Sequence, residues 1–214
     1  MAAVKPRRPY RSALRIEAAR ATRTAVLKAA HELFVEQGYV ASTLDQIADR
    51  AGVSKPTVFA TIGSKRELFK VVRDVAIAGD EAPIPLVDRP WYRQVLAEPD
   101  PRRFLRLHAR NCVQIQARYA EIDDVLRAAA GADAELQTLW QTSERERRFG
   151  ATVVVDSLLK KTRLKKGLTR ELAIDIMWLL ISVDPYQRLV KGAGWPLARY
   201  EAWLADTFCQ QLLG

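Results

Sequence analysis

The chain has 214 residues, enough for a small domain plus a larger one, with 34 Lys and Arg against 25 Asp and Glu and a net charge of +9. Residues 1–70 hold 13 of those cations against 6 acids, or +7, so the nucleic-acid-like field belongs to the N-terminal third. Cys112 and Cys209 have neither zinc nor disulfide-framework spacing, and the apolar run 176–183 is too short to span a bilayer. With no apolar stretch after the basic start, these features predict a soluble protein of a reducing cytoplasm, with no membrane partner.

In chain order, residues 1–21 carry six Lys and Arg, one Glu and two Pro, and read as a basic flexible arm. Either the arm enters a minor groove or it is a solvated tail. A first helix is expected from Thr22 or Thr24, with Val26, Ala30, Leu33 and Phe34 inward and Gly38 at its end. The segment TLDQIADRAGVSKPTVFATIGSKRELF (43–69) then contains two capping boxes, Thr43 with Gln46 and Ser64 with Glu67. Leu44, Ile47, Ala48 and Ala51 make one short apolar stripe, which Gly52 ends in the left-handed conformation. Ser54 caps the next helix, Pro56 falls in its first turn, and the helix runs to about Ile62. Helix, Gly-containing turn and helix is the pattern of a helix-turn-helix, the alternative being an ordinary helical hairpin within a bundle. A fourth helix from Lys65 to about Gly79, with Leu68, Phe69, Val72 and Val75 inward, joins this head to a body.

The Pro-rich stretch GDEAPIPLVDRP marks a boundary. After it, Asp100 and Pro101 start a helix whose face carries Phe104, His108, Cys112, Ile115 and Tyr119. A short helix with Ile122, Val125, Leu126 and Ala129 inward follows, and past Gly131 comes a longer one containing Leu136, Leu139, Trp140 and Phe149. Phe104, His108, Cys112, Ile115, Tyr119, Trp140 and Trp178 are candidates for a mainly apolar ligand pocket, or are simply core. The last two helices, expected over 169–190 and 196–213, are apolar on more than one face, which fits either a homodimer through them or a large internal core. For the dimer, Leu204 and Phe208 are the expected contacts.

Residues 22–72 resemble the DNA-binding domain of the TetR (tetracycline-repressor-like) family of bacterial transcription regulators. The resemblance is carried by LFVEQGY, TLDQIADRAGVS and FATIGSKREL, and a weaker one over 173–212 is to actinobacterial-type C-terminal helices. It implies an all-α fold: an N-terminal three-helix helix-turn-helix domain (22–70), then a larger helical ligand-binding and dimerisation domain (71–214). It also implies that Thr43 and Lys65 clamp phosphates of double-stranded operator DNA, at helix N-termini that favour anions. The recognition helix, capped by Ser54, offers Lys55, Thr57, Phe59 and Thr61: Lys55 for a guanine edge or a phosphate, the threonines for a thymine methyl or a hydrogen bond. The family's common Tyr-Tyr-His-Phe run is Phe59-Ala60-Thr61-Ile62 here, which predicts sparse direct readout. No catalytic, cofactor or metal constellation is evident. The expectation is a repressor released by a small apolar effector, with an activator or effector-independent DNA-binding protein as the alternative, and a helical enzyme or RNA-binding module as a more distant one.

Overall fold

A computed structural model describes residues 10–214, with side chains from residue 14. Every regular element in it is helical. The described residues divide after Val72 into two compact units.

In the first unit, α1 (Tyr10–Ala41) begins twelve residues before the expected start. The arm reading is thereby corrected for residues 10–21, while residues 1–9 lie outside the described part. The physical reason is composition: LRIEAARATRTA contains neither Gly nor Pro and is rich in Ala and Arg, so it sustains a helix whose surface stays exposed and shows no apolar period. Gly38, at φ +80°, turns the chain out of that helix. Phe34, Tyr39 and Phe69 then cluster with ring centroids 5.1 to 5.8 Å apart. Against them pack α2 (Leu44–Ala51), α3 (Lys55–Ile62) and the start of α4 (Lys65–Ala78), through Ile47, Val58 and Leu68, each fully buried.

In the second unit, an eight-residue helix that the periodicity does not announce, α5 (Pro90–Ala97), buries Tyr92 and Val95. The two helices expected between 101 and 130 are one, α6 (Pro101–Ala130), capped by the Asp100 side chain accepting from Arg103 N at 2.7 Å. Nothing between Tyr119 and Ile122 breaks a helix, so the two stripes are successive turns of one buried face. α7 (Ala134–Leu159), α9 (Val183–Tyr186) and α10 (Leu197–Leu212) all pack on α6.

The single helix expected over 169–190 is divided. α8 (Arg170–Leu180) stops before Ser182, which is extended, and α9 passes into a π-helical turn, Gln187–Gly192. Pro185 explains the break: it has no N–H to offer the carbonyl four residues back, and its ring crowds that carbonyl. The carbonyl of Ser182, at the break, accepts from Gln116 Nε2 of α6 at 2.7 Å. A second correction concerns α10, where Leu204 and Phe208 are fully buried within their own chain, against α6. They are core, and the outward apolar residues of this unit include Phe149 on α7 and Leu172 and Leu179 on α8.

Candidate nucleic-acid interface

The α2–turn–α3 corner is built by local chemistry that the sequence spells out. Thr43 Oγ1 accepts from Gln46 N at 3.2 Å while Gln46 Oε1 accepts from Thr43 N at 2.9 Å, the reciprocal capping box. Gly52 closes α2 at φ +68°, a conformation open to glycine at little cost. Ser54 caps α3 by accepting from Thr57 N at 3.3 Å, and Ser64 and Glu67 form the second box at the head of α4. The Ser64 N–H bond also holds the Glu67 carboxyl below its ordinary pKa.

Along α3 only Val58 is buried. Lys55, Pro56, Phe59 and Ala60 are exposed, and Thr57 and Thr61 are half-buried. Lys55 Nζ donates to Asp45 Oδ2 of α2 at 2.9 Å in a solvent-exposed pair worth little. Thr61 Oγ1 donates back to Thr57 O at 2.6 Å, and Thr57 Oγ1 lies 2.8 Å from Ser54 Oγ. Of the candidate DNA residues, Thr43 thus caps α2, Ser54 caps α3, and Lys55, Thr57, Phe59 and Thr61 lie along α3. Lys65 is placed differently. Its ammonium donates to Tyr39 O and Ser42 O, each at 3.0 Å, and lies 4.2 Å from the centre of the Tyr39 ring. It ties the end of α1 to the start of α4, a structural task that the phosphate reading overlooks. Lys65→Ala is therefore expected to cost the head about 1 to 3 kcal/mol, because partly buried carbonyls lose a charged donor. A purely phosphate-binding lysine would leave thermal unfolding unchanged, and a denaturation curve separates the two.

Arg23 escaped the sequence reading. Its Nη1 donates to Thr61 O at 2.8 Å, so a cation of α1 meets a carbonyl in the last turn of the recognition helix, where the helix dipole favours it. No sequence signal links positions 38 residues apart. Beside this bond an open groove of about 560 Å³ lies between α1 and α3, with Ile16, Ala19, Ala60 and Thr57 among its lining residues.

The ligand candidates lie in the second unit. Phe104, His108, Cys112 and Tyr119 are buried on α6, and Ile115, Trp140 and Trp178 are half-buried. The His108 ring stacks on Phe208, centroids 5.7 Å apart, with its Nε2 3.4 Å from Cys112 Sγ. Burial lowers the imidazole pKa to about 4 and raises that of the thiol to about 12, so both are neutral at pH 7. Burial, then the Asp123 carboxylate, also raises the Tyr119 phenol. Among the buried side-chain atoms without a hydrogen-bond partner are Gln116 Oε1, Tyr119 OH, Trp140 Nε1 and Trp178 Nε1. Among the described residues no group of three His, Cys, Asp or Glu is placed to hold a metal, and no helix is long and apolar enough to cross a membrane.

The sequence profile of bacterial regulatory proteins, tetR family, matches residues 26–72, the segment just built. This segment is similar to the DNA-binding domain of the TetR family. The transcriptional activator FasR of Mycolicibacterium smegmatis is 53% identical over 47 residues, which is 22% of either chain. The transcriptional regulator YdeS of Bacillus subtilis is 28% identical over 160 residues, covering 73% of this chain and 74% of its own. The fold extends further. NalD of Pseudomonas aeruginosa, the secondary repressor of the MexAB-OprM multidrug efflux pump, superposes with a TM-score of 0.64 at 24% identity, covering 90% of this chain and 96% of NalD.

Proposed function

We propose that the chain is a ligand-responsive transcription regulator, a repressor that leaves its operator when a small, mainly apolar effector enters the second unit. The observation that carries the DNA half is α3 itself, capped by Ser54, tied by Arg23 and turned outward over most of its length. The effector half is supported by the burial of Phe104, His108 and Cys112 on α6, with unpartnered polar atoms on Gln116, Tyr119 and Trp140 as handles.

A route between the two is supported by α4. Its first turns bury Leu68 and Phe69 in the head, and further along the same helix Arg73, 4% exposed, pairs with Asp74 and with Glu146 of α7. An effector that favours one placement of α7 biases α4, and with it the presentation of α3, which is a population shift between two states. A homodimer supplies the second half-site contact, and its surface is best sought on α8, where Leu172, Ile176 and Leu179 share one outward face. NalD is a repressor and FasR an activator, so the direction of control rests on the effector response.

The test is a footprint of the full chain on DNA flanking its own gene. The reading expects a protected, two-fold symmetric site whose protection a soluble apolar compound relieves. Protection that no compound alters would remove the effector, and protection accompanied by raised transcription would make the chain an activator.

A further inference from the structure

The structure assigns α3 a reading chemistry: its outward face recognises thymine methyl groups, so the operator half-site carries T·A pairs where this helix lies. The inference rests on the DNA-binding reading above and deepens it. The α3 sequence KPTVFATI has no Arg, Asn, Gln, Asp or Glu, the side chains that make paired hydrogen bonds or accept bonds at guanine, adenine and cytosine edges. Its one charge, Lys55, is paired with Asp45, and its two hydroxyls are engaged within the helix and its cap. Apart from Lys55 at its first turn, what α3 presents is apolar: Pro56 and Ala60 exposed, and Phe59 exposed over 60% of its surface.

Beyond Ala60 the same surface continues into the groove lined by Ile16 and Ala19. An apolar patch this prominent on a segment with a net charge of +7 over residues 1–70 matches a polyanion that carries apolar groups of its own. In the major groove that group is the thymine C5-methyl, which phenylalanine, alanine and the threonine methyl contact without a hydrogen bond.

The test uses the full chain and a duplex enriched by it from a random-sequence library. That duplex is resynthesised with deoxyuridine replacing thymine one position at a time, which removes the methyl and keeps the base pair. At two or more positions per half-site, binding is expected to weaken about four-fold, the contribution of one buried methyl-sized group. In Phe59→Ala, whose exposed site leaves folding intact, the thymine-to-uracil ratio at those positions should fall towards one. Equal affinity of the parent chain for thymine and uracil duplexes would overturn the proposal while leaving operator recognition in place, and would free this face for a protein partner. Failure to enrich any sequence would instead overturn the regulator reading beneath it.

Discussion

Phe208→Glu is expected to unfold the second unit outright. Phe208 is fully buried between α10 and α6 and stacks on His108, so the change removes a packed ring, worth about 3 to 5 kcal/mol, and buries a carboxylate without a partner. The sum reaches the whole stability of an ordinary domain, about 5 to 15 kcal/mol. Circular dichroism at 25 °C should show the loss of most helix beyond the head. Leu179→Glu is the companion change. Leu179 is 62% exposed, so the fold should survive, whereas a dimer held by the outward face of α8 should dissociate in sedimentation. A folded, monomeric Phe208→Glu protein would return the subunit contact to α10 and contradict the placement of Leu204 and Phe208 in the core.

Acid should destabilise the chain through His108. Its folded pKa is lowered by burial from 6.5 to about 4, so between those values the unfolded chain binds a proton that the folded chain refuses. Stability is therefore untouched above pH 6.5 and falls as pH drops towards 4, by roughly 3 kcal/mol in all. Carboxylates titrate over part of the same range, so the informative quantity is the difference between parent and His108→Phe. That difference should grow steadily from pH 6.5 to 4. Parallel denaturation midpoints across the window would mean that His108 is solvated or charged in the folded chain.

How far these features were legible depends on how local their causes are. Thr43 with Gln46, Gly52, Ser54 with Pro56, and Ser64 with Glu67 act within a few residues of themselves, and the helix-turn-helix follows from them. The extension of α1 to Tyr10 left no trace because an exposed helix needs no apolar period. The break at Ser182 was legible in Pro185 but was masked by the apolar run around it. For α10 the sequence shows apolar residues on more than one side, and only tertiary packing decides that Leu204 and Phe208 face their own chain. The carbonyl contacts of Lys65 and Arg23 had no sequence signal for one reason: a long cation reaching a backbone carbonyl 23 to 38 residues away has no pattern.

Whether α3 reads DNA in a sequence-dependent way is decided by competition binding of the full chain at a series of salt concentrations. Labelled operator duplex is titrated against its scrambled counterpart. A preference of roughly 10³ or more for the operator is expected, with affinity falling steeply as salt rises because phosphate contacts release counterions. Equal affinity for both duplexes, or binding indifferent to salt, would contradict it.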